Sequence, residues 1–173
     1  ALQTVVSRNV PPLEAAVLSV TTLRAGDAFN IIPDTAELQG TIRTFKPQVR
    51  QRVIDRFTQI VEGVANAMGC QATLKVQSIT PAVVNDPQIT ALAQEVCRLV
   101  LPDSQVDANT MTMGSEDMAF MMQDIPGCYM LVGSANPDKG LDASHHHPRF
   151  DVDEESLTRA AALVAASVAK ILS

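Results

Sequence analysis

Residues 47–68 constrain the fold of this chain more than any other stretch. Val49, Val53, Phe57, Ile60, Val61, Val64 and Met68 recur at helical spacing, which places one apolar stripe along a long helix. Pro47 suits the first turn, where a missing N–H costs nothing. Gly69 suits the left-handed position just past the last turn. A stripe of this length needs a surface to cover it, and the flanking sequence supplies strands. Glu37–Arg43 alternates, with Leu38, Gly40 and Ile42 on one face and Glu37, Gln39, Thr41 and Arg43 on the other. Gly40 inside that run predicts a close backbone approach or a bulge. Ala16–Leu23 is rich in β-formers and reads as a strand, and Ala72, Leu74 and Val76 alternate as another. Residues 1–9 read as the tail of a helix that packs on the same face. The order from 1 to 80 is that of an α+β sandwich of ferredoxin-like type.

Ile79–Ala82 reads as a domain boundary. Beyond it, Asp86–Leu101 and Asp153–Leu172 are two helices, the second with Leu157, Ala161, Val164, Val168 and Ile171 on its apolar face. Asp151 or Asp153 is the candidate cap of the second. Four of the five residues 151–155 are acidic, which complements a helix start. Met111–Gln123 holds a Gly-Ser turn leading into a short helix. Gly127–Gly133 is a continuous apolar run and reads as a fully buried strand. A buried strand needs neighbours to satisfy its backbone, and residues 81–173 offer none. The reading is therefore an incomplete α/β domain, and the chain is expected to be a fragment.

Composition narrows the function. With 46% hydrophobic and 18% charged residues, the chain can bury a core. A net charge of -6 and no Lys/Arg run argue against nucleic acid and anionic membranes as partners. Apolar stretches are interrupted well before the ~18 residues that a spanning helix needs. Cys70, Cys97 and Cys128 are odd in number and widely spaced. That fits three small buried hydrophobes in a reducing, cytoplasmic setting rather than a disulfide framework. A sheet of RRM type would need aromatics and basic charge that are absent here.

The chemistry concentrates in His145, His146 and His147, which end a loop running into a helix. Neutral imidazole is the commonest side-chain metal ligand; a solvated histidine cluster is the competing reading. One histidine does not make a site, because zinc-type centres need three or four donors.

His146-x-Pro148-x-Phe150-Asp151-x-Asp153-Glu154 resembles the C-terminal signature of the metallopeptidase superfamily that includes aminoacylase and carboxypeptidase G. Gly114-Ser115-Glu116-Asp117-Met118-Ala119 resembles a loop of its hippurate hydrolase and auxin-conjugate hydrolase branch, with Met118 where Phe is usual. Asn30-Ile31-Ile32-Pro33-Asp34 with Gly40-Thr41-Ile42-Arg43, and Leu2–Val10, resemble two further stretches of that branch. The four matches follow the family's order and cover nearly all of the chain.

The resemblance implies a lid and dimerisation domain over residues 1–80, followed by the C-terminal part of an α/β zinc-peptidase-like catalytic domain over 81–173. It implies hydrolysis of the amide bond of small N-acyl amino acids, hippurate-like or related, by two divalent ions (Zn, Mn or Co) in the intact protein. His146 would be a ligand of one ion, since the ligand stands two positions before Pro148. The catalytic glutamate and the other ligands would lie outside this chain, so no catalytic residue is assigned here and the chain alone is expected to be inactive. Asn30 and Arg43 would reach the substrate's carboxylate or oxyanion, often across a homodimer; an arginine fork suits that task. A surface arginine and a turn asparagine are the competing readings. Gly114 and Ser115 would offer backbone N–H groups to substrate, while Glu116 and Asp117 would cap the short helix or order the loop. A stand-alone dimerisation or binding module without catalysis is the alternative function.

Overall fold

The computed structural model describes residues 1–173 and divides into two compact units, Ala1–Ala82 with Thr112–Ser115, and Val83–Met111 with Glu116–Ser173. The architecture is α+β with a small two-stranded sheet. No helix is long and apolar enough to cross a membrane.

The first unit runs α1 (Thr4–Asn9), β1 (Ala16–Arg24), β2 (Glu37–Thr44) and α2 (Pro47–Ala67). β1 and β2 pair antiparallel, with Leu18 opposite Ile42 and Val20 opposite Gly40. The expected irregularity is there: the register shifts between Val20 and Thr22. Gly40 also lies against the neighbouring backbone, where a Cβ would meet the Ser19 carbonyl oxygen at 2.1 Å. Both helices pack on the Leu18 and Ile42 face, around a core of Val5, Leu18, Val49 and Val53. Burying a side chain such as Val5 or Val53 completely, as here, contributes about 1.5–3 kcal/mol each. Gln3 Nε2 donates to the Leu18 carbonyl at 3.3 Å and ties α1 to the strand.

α2 ends as its sequence predicts. Gly69 is left-handed at φ 70°, the Cys70 N–H reaches the Ala65 carbonyl at 2.9 Å, and the Gly69 N–H reaches that of Asn66 at 3.1 Å. This paired closure satisfies carbonyls that the last turn leaves free. It also places Cys70 on the surface, which corrects its reading as a buried hydrophobe; Cys97 and Cys128 are half-buried, and all three are free thiols. The strand expected at 72–76 pairs with nothing. Of its alternating residues only Leu74 is partly buried, so little apolar burial drives a third ladder. With two strands beneath it, a helix about 31 Å long outruns its support, and Val64 and Met68 at the end of the stripe are exposed.

The second unit contains α3 (Pro87–Val100), α4 (Met118–Met121) and α5 (Glu155–Leu172). Asp86 caps α3, its Oδ1 accepting from the N–H groups of Gln88 at 2.9 Å and Ile89 at 3.0 Å. α3 packs on α5 through Ala93 and Val96 on one side and Ser156, Leu163 and Ser167 on the other. This corrects the expected burial of α5. The small residues face inward, where they permit close approach, and Leu157, Val164, Val168 and Ile171 are about half exposed or more. One neighbouring helix covers only one face of α5, and the broad apolar face has no cover in this chain.

Gly127–Gly133 is extended but belongs to no ladder, and Leu131 is exposed, contrary to a fully buried strand. A side chain takes the place of a strand neighbour. The Asn85 amide accepts the Tyr129 N–H at 2.8 Å and donates to the Tyr129 carbonyl at 3.0 Å. The Asp86 N–H donates to the Gly127 carbonyl at 2.8 Å.

Two glycine substitutions of opposite sign test the first unit. Gly40→Ala forces a methyl group into the Ser19 carbonyl and is expected to lower unfolding free energy by about 1–3 kcal/mol or more. Gly63→Ala, in an exposed helical position with open space around it, is expected to raise it by roughly 1 kcal/mol. Urea denaturation midpoints of the two variants decide both.

Candidate active site

The three histidines sit in a loop without regular structure apart from one short 3-10 turn, Pro137–Lys139. Two local turns shape its tip. The His147 N–H donates to the Ser144 carbonyl at 3.1 Å, and the Phe150 N–H donates to the His147 carbonyl at 2.9 Å. Two of the histidines are occupied. His147 Nδ1 accepts the Arg149 N–H at 3.1 Å, and the His145 ring packs edge-on against Phe150 at 4.8 Å. His146 lies between them, exposed, with both ring nitrogens free. It is the one non-glycine residue with positive φ, at 67°. That conformation is uncommon for a side-chain-bearing residue, and such residues gather at functional sites.

The base of this loop is closed by Asp153. Its N–H donates to the Ser134 carbonyl at 2.9 Å. Its carboxylate accepts from Asn136 Nδ2 at 2.6 Å and from Lys139 Nζ at 3.0 and 3.1 Å. It also takes the Glu155 N–H at the start of α5, at 3.3 Å. Of the two acidic residues considered as the α5 cap, only Asp153 reaches the helix start, and it does so from one position before the N-cap, which is Glu154 and makes no side-chain capping bond. The hydrogen bonds from Asn136 and then Lys139 hold its carboxyl down at about 2. The carboxylate's contribution is present above the ordinary value of 3.8 and fades as pH falls through about 2. The same ion pair raises the Lys139 ammonium.

The Gly114–Ser115 segment is shaped from two directions. Thr112–Ser115 belongs with the first unit, where Arg43 Nη1 donates to the Met113 carbonyl. Arg43 and the Gly-Ser segment, singled out separately in the sequence, are thus brought together. In the second unit, Tyr129 Oη donates to Glu116 Oε2 at 2.8 Å, and Glu116 Oε1 accepts the Asp117 N–H at 3.1 Å. Glu116 orders the loop as expected. Asp117 makes no side-chain bond to the helix it precedes, and that helix is only four residues long, too short for a strong N-terminal field. Gly114 and Ser115 are exposed, and Asn30 lies in the exposed β1–β2 connection beside Phe29, Ile31 and Ile32.

No three His, Cys, Asp or Glu side chains of this chain converge as a metal cage. His146 fits one ligand position, as an exposed and unpaired imidazole. A concavity of about 660 Å³ runs along α2 between Gln48 and Gln59 and includes none of these residues.

The model of the peptidase family M20/M25/M40 matches residues 9–170. The chain belongs to this family. It is 35% identical over 172 residues to an N-acetyl-L-cysteine deacetylase of Bacillus subtilis, covering 99% of this chain and 40% of that protein. It is 33% identical over 175 residues to an IAA-amino acid hydrolase of Arabidopsis thaliana, again covering 99% and 40%. Among solved structures, a Bacillus subtilis protein described as a dinuclear metal binding peptidase from the M20 family superimposes with TM-score 0.74 at 34% identity, covering 91% of this chain and 42% of that one. A protein of methicillin-resistant Staphylococcus aureus superimposes with TM-score 0.81 at 28% identity, covering 97% and 43%. The chain spans about 40% of the length of the curated relatives it matches.

Tyr129 and Glu116 were not paired by sequence reasoning, since thirteen positions of irregular chain separate them. Their contact is directly observable, because Tyr129 is the one tyrosine present. The hydrogen bond to Glu116, with lesser help from burial and charge, raises the phenol above 10.0. A raised folded value means that this contribution holds below about 10 and is lost as pH climbs through the folded value. Tyrosinate absorbance should titrate above 10 in the parent protein and move back toward it in Glu116→Ala. Identical titrations would show that the bond does not form in solution.

Proposed function

We propose that this chain is part of a metal-dependent amidohydrolase acting on small N-acyl amino acids. The observation that carries the reading is the free imidazole of His146, held at a left-handed position while both neighbouring histidines are engaged. Relatives named as an N-acetyl-L-cysteine deacetylase and an IAA-amino acid hydrolase point to an amide bond beside a free carboxylate as the substrate class. In this reading, residues 1–80 form a ferredoxin-like lid that also dimerises the protein, and residues 81–173 are the C-terminal part of the catalytic domain. The exposed apolar face of α5 and the unpaired segment 127–133 support further catalytic-domain structure over them.

The roles follow from the side chains. His146 would hold one of two divalent ions, Zn, Mn or Co, by neutral imidazole. The bound ions would supply polarisation of the amide carbonyl and a more acidic water. Arg43 would orient substrate through the guanidinium nitrogens that its Met113 contact leaves free, and Asn30 would donate its amide to the carboxylate or the carbonyl oxygen. Gly114 and Ser115 would present backbone N–H groups beside them. The general base is assigned to no residue of this chain.

The first unit has a core of its own, which favours the second reading, a dimerisation or binding module, for residues 1–80 alone. Activity separates the two. His146→Ala in the intact protein should lower kcat/KM on hippurate or N-acetylcysteine by at least about 100-fold, beyond the 10–100-fold typical of residues that only support a ligand. Bound metal should fall in parallel. Residues 1–173 alone, with Mn²⁺ or Zn²⁺ added, should hydrolyse neither substrate. Wild-type rates in His146→Ala would remove the metal role, and turnover by 1–173 would contradict the division of the site.

A further inference from the structure

The loop that carries His146 runs from Ser134 to Asp153 with one 3-10 turn as its only regular structure. A connection of that length is unusual in a compact unit unless something orders it. Local turns shape the tip, and at the base of the loop the ordering is concentrated in one residue. Every hydrogen-bonding group of Asp153 is used: its N–H on Ser134, its carbonyl by the Ser156 N–H at 2.9 Å, and its carboxylate by Asn136, Lys139 and the Glu155 N–H. Asn136 and Lys139 belong to a smaller closed turn. Asn136 and Leu141 exchange backbone bonds at 2.8 and 2.9 Å, and Gly140 between them is left-handed at φ 72°.

We propose that Asp153, gripping Asn136 and Lys139, is a clasp that fixes both ends of the histidine loop and thereby positions His146 for its metal. The inference rests on the reading of His146 as a ligand. The Asp153 side chain is only 15% exposed whereas Lys139 is 53% exposed, so the Lys139 arm is a solvent-screened contact of modest strength and the short Asn136 bond at 2.6 Å is the firmer arm of the grip. The clasp grips the turn that opens the loop and the first turn of α5 that closes it. A left-handed His146 at the tip persists only while those anchors hold. Asp153 is in this sense a positioning residue with no part in the chemistry.

The test uses the intact protein and two variants, Asp153→Ala and Lys139→Met, with hydrogen exchange read amide by amide and Zn²⁺ affinity by equilibrium dialysis. In Asp153→Ala the amides of Leu141 and His147 should exchange at least about 10-fold faster while those of α3 keep their rates, and Zn²⁺ affinity should fall about 10–100-fold. Lys139→Met removes one arm only and should move both readouts the same way by less, so the proposal stays testable if Asp153→Ala does not fold. Unchanged loop exchange in both variants overturns the clasp. Faster loop exchange with unchanged Zn²⁺ affinity overturns its positioning role. A wild-type protein that takes up no Zn²⁺ or Mn²⁺ overturns the ligand reading of His146 itself, which distinguishes that failure from a failure of the clasp.

Discussion

Every buried backbone N–H and carbonyl needs a partner, and with only two paired strands this chain meets that demand in two different ways. In the first unit the β1–β2 ladder does it, and Gly40 makes the ladder feasible because no side chain fits against the Ser19 carbonyl. In the second unit there is no ladder. Side chains take over: Asn85 on both polar groups of Tyr129, Asp86 on the start of α3, and Asp153 on the loop base and the start of α5. Short polar residues suit this task, since Asn and Asp reach backbone groups without a long, entropically costly stem.

The same substitution of side chain for sheet shapes the histidine loop. A loop anchored through Asp153 can hold His146 at an uncommon backbone angle, with His147 and His145 committed to the turn that frames it. The region around Gly114 and Ser115 is ordered by two further side-chain anchors. Arg43 holds the Met113 carbonyl in one unit, and Tyr129 holds Glu116 in the other. The chain belongs to the M20/M25/M40 family, and under the proposed function these anchors would have a purpose, because a site works only when its donors are held within narrow limits.

Helices and the first two strands were legible in the sequence because each carries a local signal. Pro47 and Gly69 bracket α2, Pro87 follows the Asp86 cap, and the alternation of 37–43 marks β2. The candidate site was named from motifs, which single out His146 over His145 and His147; the structure adds that His146 is the one of the three left unengaged and left-handed. The failures share a cause. The stretch 72–76 alternates like a strand, 127–133 reads like a buried one, and the α5 stripe reads like a core face. Periodicity reports which residues need cover, and it cannot report whether the cover is supplied by this chain. Ser156 and Ser167 face α3 where Leu157 and Val164 were expected, because the only available neighbour is a helix that packs closely against small residues.

By itself the sequence determined the order and type of the helices, the Gly40 approach, the helix stop at Gly69 and the family signature around His146. Each of these depends on residues a few positions apart, or on a contiguous motif. Only the tertiary structure decided that Asn85 stands in for a strand, that Arg43 grips the Met113 carbonyl, that Tyr129 meets Glu116, and that Lys139 and Asn136 close on Asp153. Those partners are separated by 44, 70, 13, 14 and 17 positions of chain. Hydrogen-bonding capacity is written in each residue, but which distant group satisfies it is chosen by the path of the folded backbone.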